Sequence, residues 1–228
     1  MKRNIVIKTS KEAEVSAEEL YRLFKAAYQQ WTDLGVYTPA KDTTLERFTQ
    51  DISRMVVFVA LDADTNELLG MHALRLDKQK GRAGGANLAV SPKAQHEGIA
   101  SRMLESEAAR LRKNGYKYMQ GTSSVAATWS VQWHLKNGYY IAGYSRSERN
   151  PRALLAPTFR WENYASYIFR KQIAVDVRHH PTDLLWTRPI APVTAKVQYV
   201  ATYLATCICK DKAGKLNWIG RMAKRWKK

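Results

Sequence analysis

Residues 95–101 read Gln-His-Glu-Gly-Ile-Ala-Ser, and they stand between two different patterns. Before them a short apolar run, Leu88-Ala89-Val90, ends in Ser91-Pro92. After them apolar positions recur at Ile99, Met103, Ala108 and Leu111, with Leu104 beside them. That is the order strand, turn, helix start. Pro92 cannot donate to a ladder and biases Ser91 away from helix. Gly98 and the small Ala100 let a bulky ligand approach the backbone at the first turn. The first amides of a helix have no partner inside it and lie at the positive end of its dipole, so such a turn is a ready site for phosphate. Amides from His96 to Ser101 would face that phosphate, and Gln95 can add a side-chain donor. Glu97 is the awkward member: a carboxylate beside phosphates costs energy unless it points to solvent, and it is expected to do so.

Proton-transfer chemistry has fewer candidates. His134 lies in an apolar helical stretch, Ala126 to Lys136, between Trp133 and Leu135. A histidine can give or take a proton near neutral pH. Tyr139 and Tyr140 follow it, although Tyr-Tyr in a strand usually packs on a core. His72 in the run Leu68 to Leu76 and Glu46 in an early helix are the candidate bases. His179-His180 has no third ligand at helix or hairpin spacing, so no metal is expected. Cys207 and Cys209 flank a single residue, a spacing that points the two side chains apart, so no mutual disulfide is expected. A reduced, cytosolic setting follows as the default.

These residues need elements to hold them. The 228-residue chain is 45% hydrophobic, enough for one good core plus an appendage. The opening Met1 to Glu14 has basic residues but no long apolar centre, so no secretory signal is expected. Ile5 to Thr9 alternates as a first strand. Ser16 with Glu19 forms a capping box ahead of Leu20, Leu23, Phe24, Ala27, Tyr28 and Trp31 at helical spacing. Asp33-Leu34-Gly35 stops that helix. Thr43 or Thr44 opens a second one, which runs to about Ser53. Met55 to Leu61 and Leu68 to Leu76 form a hairpin, and Lys78 to Gly85, basic and glycine-rich, reads as a loop. Asn114-Gly115 closes the helix that began near Ile99. Tyr116 to Gly121 is the next strand, Tyr139 to Arg146 another, residues 150–163 a proline-containing loop, and Tyr164 to Ile173 a last strand. This order gives an α/β (α+β) fold: a mixed central sheet flanked by helices.

Gln95, Gly98 and Ala100, with Val90 and Pro92 ahead of them, resemble the pyrophosphate loop of the GNAT superfamily of N-acetyltransferases. The segment Trp133 to Tyr144, with Lys136, Gly138 and Tyr139, resembles that family's Leu-Tyr-x-Lys-x-Gly-Phe segment, and the element order is similar from about Ile5 to Ile173. The resemblance implies a GNAT-like mixed sheet. It implies acetyl-CoA as co-substrate, with no metal, and direct transfer of the acetyl group to an amine of an unidentified acceptor. Its pantetheine arm would lie between Asn87–Val90 and Tyr116–Gly121. It would touch Leu88, Ala89 and Val90, while the pyrophosphate sat on Gln95, His96, Glu97, Gly98, Ile99, Ala100 and Ser101, and the N–H of Val90 polarised the carbonyl. Where the family commonly carries a tyrosine as general acid, this chain has His134, with Tyr139 as the runner-up. The family's asparagine after the fifth strand is replaced by Ala126, Ala127 and Thr128, and Thr122, Ser123 or Ser124 would then supply its hydrogen bond. The acceptor would enter near Gln30 to Thr43 and the loop after Arg146, lined by Trp31, Tyr37 and Trp161. No acidic cluster marks a pocket for polycations.

The resemblance divides the chain into a catalytic domain, 1–175, and an extension, 176–228. Val193 to Cys209 has helical apolar spacing, and the end is basic and aromatic: Trp218, Ile219, Met222 and Trp226 with Lys224, Arg225, Lys227 and Lys228. The formal net charge of +17 attracts anions of any kind. The reading is a mainly helical extension docked on the core. An anionic membrane surface is the sharper alternative, which would place a cytoplasmic protein at the inner membrane, and an acidic carrier protein is another, ahead of nucleic acid. An acyltransferase using a longer acyl-CoA or acyl carrier donor, and a catalytically degraded binding module, are the rival functions.

Overall fold

A computed structural model describes residues 3–34, 36, 38–124, 127–146 and 165–174. The loop 150–163, Gly35, Tyr37, Trp161, His179-His180, both cysteines and the whole extension lie outside the described residues, as does the domain boundary near 175.

The elements follow the expected order. Strand β1 (Ile5–Thr9) leads to helices α1 (Ala17–Asp33) and α2 (Leu45–Ile52). Three strands follow, β2 (Val56–Asp62), β3 (Leu68–Asp77) and β4 (Arg82–Val90), then α3 (Ile99–Lys113), β5 (Tyr118–Ser124), α4 (Thr128–Lys136), β6 (Tyr140–Arg146) and β7 (Ala165–Gln172). The capping box at α1 is complete: Glu19 N–H donates to Ser16 Oγ at 3.2 Å, and Ser16 N–H donates to Glu19 Oε2 at 2.9 Å. Thr44 caps α2, its Oγ1 accepting from Arg47 N–H at 3.3 Å.

One seven-stranded sheet runs β1-β2-β3-β4-β5-β7-β6, antiparallel everywhere except between β4 and β5. Alternation along the strands feeds two cores. Leu20, Leu23, Phe24 and Ala27 of α1 and Phe48 and Ile52 of α2 pack on Val57, Val59, Met71, Ala73 and Ala89. On the opposite face Ile99, Met103, Leu104 and Leu111 of α3 pack on Phe58, Leu69 and Leu74. Burying these apolar stripes is the main source of stability, at about 25 cal/mol per Å² removed from water.

The structure corrects one element. Residues 82–85, expected in a loop, are the first half of β4, with Arg82 opposite Asp77 and Gly85 opposite Leu74. Glycines are poor strand formers, and the reason for them lies one strand away: the ring of His72 fills the space a side chain at Gly85 would need. β5 also starts later and runs further than the expected Tyr116 to Gly121, reaching Ser124.

Two irregularities shape the centre of the sheet. The β4–β5 pairing covers only Arg82↔Tyr118, Ala83↔Met119 and Gly84↔Gln120. Beyond it β5 continues with β7 while β4 continues with β3, so the two strands part from Gly85 onward. The β3–β4 register also shifts, from Met71↔Ala89 to Ala73↔Ala86, setting Asn87 and Leu88 against His72 alone. This is a bulge, with Asn87 at φ 54°, and bulges of this kind re-aim a strand next to a site.

Candidate active site

The parted strands open a cleft of about 650 Å³ between α1, α3 and α4. On its β4 wall the backbone edge is not paired with another strand. Ser91 N–H donates to Leu69 O on β3 at 2.8 Å. Neighbouring residues in a strand direct their backbone groups to opposite edges, so Val90 turns its N–H and C=O toward the gap that β5 has left. Gln95 Nε2 donates to that Val90 carbonyl at 3.4 Å. Tyr28, reaching over from α1, donates its hydroxyl to Leu88 O at 3.1 Å. Burial pushes the Tyr28 phenol up to about 12, so it stays protonated and remains a donor.

The turn into α3 is built for an anion. Gly98 stands at the N-cap with φ 77°, and no side chain caps the helix. His96 also has a positive φ, 66°. The amides of the first turn are left without a partner from the helix. A Cβ at Gly98 would meet nothing within 4 Å, so the space in front of these amides is open. Glu97 points outward, paired with Arg3 at 3.2 Å from Nε to Oε2. The cleft is lined by Leu88, Val90, Gln95, His96, Gly98, Ile99, Ala100 and Ser101. Of the residues expected to hold the co-substrate, two are placed elsewhere: Ala89 is packed in the α1–α2 core, and Glu97 lies on the outer surface.

His134 and Tyr139 come together on the α3 face. The His134 ring stacks on Phe169, with centroids 4.4 Å apart, and meets Tyr139 edge-on at 5.3 Å. Its Nδ1 lies 2.7 Å from the backbone carbonyl of Ser130. A carbonyl can only accept, so Nδ1 carries a hydrogen, and in the neutral ring Nε2 holds the lone pair. Burial lowers the pKa of His134, nearby His72 adds to this, and the bond to Ser130 works against it. Nε2 looks across at Gly121 on β5. Tyr139 is buried, and its pKa is raised first by burial and then by the charge of Glu107.

Of the candidate bases, Glu46 lies exposed on α2 away from the cleft, while His72 lines it. Ser123 Oγ donates to Ser130 Oγ at 2.9 Å, tying the end of β5 to α4, and Thr122 lines the cleft. Trp31, expected at the acceptor entry, lines this cleft and meets Trp129 of α4 edge-on. Sequence reasoning missed Glu107, Tyr28 as a donor, and Trp129. For Glu107 a signal existed: it falls on the apolar stripe of α3, four residues after Met103 and four before Leu111.

Residues 53–141, from the end of α2 to the first residues of β6, match the family model described as the acetyltransferase (GNAT) domain. Over that stretch the chain is similar to a GNAT acetyltransferase domain. No curated protein sequence matches it. Among solved structures, it is similar to the ribosomal-protein-S18-alanine N-acetyltransferase from Escherichia coli, at 14% identity and TM-score 0.58, over 78% of this chain and 99% of that one. It is also similar to a GNAT family acetyltransferase from Elizabethkingia anophelis with acetyl-CoA bound, at 18% identity and TM-score 0.51, over 74% of this chain and 98% of that one. An acetyltransferase of the GNAT family from Streptococcus pneumoniae aligns with TM-score 0.52 at 14% identity, over 75% of this chain and 100% of that one. At these identities the likeness establishes the fold.

The cleft has a distinct electrostatic character. Its ionisable lining groups are His72, His96, His134 and Lys136, together with the phenols of Tyr28 and Tyr139, and no carboxylate lines it among the described residues. No described helix is long and apolar enough to cross a membrane.

Proposed function

We propose that this GNAT-like domain transfers the acetyl group of acetyl-CoA directly to an amine, without a covalent enzyme intermediate. The observation that carries the reading is the gap between β4 and β5, which begins after Gly84 and Gln120 and shares one cleft with the uncapped start of α3. A pantetheine arm is peptide-like and fits where a strand is missing, pairing with the free edge at Val90. The pyrophosphate fits the amides of residues 96–101 and the positive end of α3. With the arm so placed, the Val90 N–H meets the thioester oxygen and stabilises the charge that develops there.

The proton has a path through one residue. The amine nitrogen attacks the acetyl carbon and becomes positively charged in the tetrahedral adduct. His134 Nε2, whose lone pair is fixed by the Nδ1 bond to Ser130, takes that proton. As the carbon–sulfur bond breaks, the imidazolium returns it to the departing thiolate. His134 therefore acts as base first and acid second, which modifies the expectation of a resting acid: a histidine whose pKa is lowered rests neutral. Tyr139 holds the ring edge-on and is a positioning residue. The catalytic unit on this reading is residues 1–175.

The test is release of free CoA thiol from acetyl-CoA with a panel of primary amines. The account expects turnover with at least one amine, and a drop of about 100-fold or more in kcat for His134→Phe with unchanged acetyl-CoA affinity. Equal turnover by His134→Phe would remove His134 from the proton path.

A further inference from the structure

The chemistry of the cleft walls identifies an acceptor class. We infer that the acceptor is a monoamine with a flat aromatic body, and that Trp31 and Trp129 receive that body; this rests on the acetyl transfer proposed above.

Five tyrosine and tryptophan side chains wall the cleft: Tyr28 and Trp31 from α1, Trp129 and Trp133 from α4, and Tyr139, whose ring is turned edge-on to His134. Trp31 and Trp129 meet with ring centroids 5.4 Å apart and planes at 80°. An edge-on pair of this kind uses an edge of one ring and one face of the other, so further ring faces stay available. Trp129 keeps 39% of its surface exposed even though it lines a cleft, so a large apolar face is left for something to cover. Aromatic partners attract one another in such geometries beyond the area they bury. The Tyr28 hydroxyl is committed to Leu88 O, its ring packs between Phe24 at 5.1 Å and Trp31 at 5.2 Å, and Trp133 meets His134 at a ring separation of 5.1 Å. The free aromatic surface is therefore at the Trp31–Trp129 corner.

Charge sets the second half of the inference. One ammonium is welcome against a tryptophan face by cation–π attraction, and it can lose its proton to reach the attacking form. A second fixed cation has nowhere to go. The described lining offers His72, His96, His134 and Lys136 and no carboxylate, and the chain as a whole carries +17, which repels polycations at long range. A polyamine or aminoglycoside lacks the pairing it needs here.

The experiment compares tryptamine, phenethylamine, butylamine, spermidine and kanamycin as acceptors, after acetyl-CoA binding has been measured by itself. The inference expects kcat/KM for tryptamine to exceed that for butylamine and spermidine by about tenfold or more. It expects Trp129→Ala, a change at a partly exposed site that the fold tolerates, to collapse the ratio of tryptamine to butylamine toward one while acetyl-CoA affinity stays at the wild-type value. Preference for spermidine or kanamycin overturns it, as does a Trp129→Ala variant that keeps the aromatic preference. Acetyl-CoA binding without tryptamine turnover overturns the acceptor class alone. Failure to bind acetyl-CoA overturns the functional reading beneath it.

Discussion

Nδ1 of His72 on β3 lies 2.8 Å from Oε2 of Glu107 on α3. This bond crosses from sheet to helix behind the point where β4 and β5 part. Glu107 is wholly buried, and its second oxygen, Oε1, has no partner among the described residues. The bond orients the His72 ring edge toward β4, where a Cβ built on Gly85 would fall 2.5 Å from Nε2 and 3.0 Å from Cε1. A glycine in mid-strand is therefore needed for the histidine, and the histidine is held by the glutamate.

Gly85→Ala tests that dependence. The added methyl should force the ring off its bond and cost about 1–3 kcal/mol, the usual scale for overpacking. Urea unfolding of Gly85→Ala, His72→Ala and the double variant checks it. The clash is absent in the double variant, so the two losses should fail to add by at least 0.5 kcal/mol. Additive losses would mean that the cost of a side chain at Gly85 does not come from the His72 ring.

The turn at Gly98 makes a sharper prediction, because bulk is not the obstacle there. With nothing within 4 Å of a new Cβ, Gly98→Ala should cost about 1 kcal/mol of stability for its left-handed backbone and keep most acetyl-CoA affinity. Gly98→Glu adds a carboxylate in front of the helix N-terminus and should weaken acetyl-CoA binding by about 100-fold or more. Calorimetric titration of both variants separates them. Retained affinity in Gly98→Glu would place the phosphates elsewhere.

His134 gives a pH signature. Its folded pKa is lowered by burial, so between that lowered value and the ordinary value of about 6.5 the unfolded chain binds more protons than the folded one. Stability from the neutral ring is present above the ordinary value and is lost as pH falls through it toward the lowered one. Thermal midpoints taken from about pH 7.5 down to about pH 5.5 should fall more steeply for the wild type than for His134→Phe. Parallel curves would show a ring that titrates freely.

Ser16→Ala should remove the α1 cap, whose two reciprocal bonds are both formed, at a cost of about 1 kcal/mol with no effect on acetyl-CoA affinity. Denaturant midpoints alongside calorimetric titration check both halves.

Much of this was legible because it is local. The capping box at Ser16 and Glu19, the strand-turn-helix at Val90 to Ile99, and the order of elements all depend on residues a few positions apart. What escaped is carried by contacts across the sheet. Arg82 to Gly85 looked like loop because the reason for Gly85 is the His72 ring on another strand. The lowered pKa of His134 comes from burial that no spacing reveals, and its tautomer is set by a carbonyl one helical turn back. Trp31 and Trp129 lie far apart in the chain and meet only because α1 and α4 close on the same cleft. Glu107 was readable in principle, as a charge on an apolar helical stripe, which asks for a buried partner.

Thermal unfolding of the full chain with and without acetyl-CoA tests the central claim most directly. At about a hundred times its dissociation constant a ligand stabilises the fold by roughly 2.7 kcal/mol. The account predicts a clear upward shift of the midpoint that is lost in Gly98→Glu. An unchanged midpoint for the wild type at saturating acetyl-CoA, or an equal shift in Gly98→Glu, would contradict it.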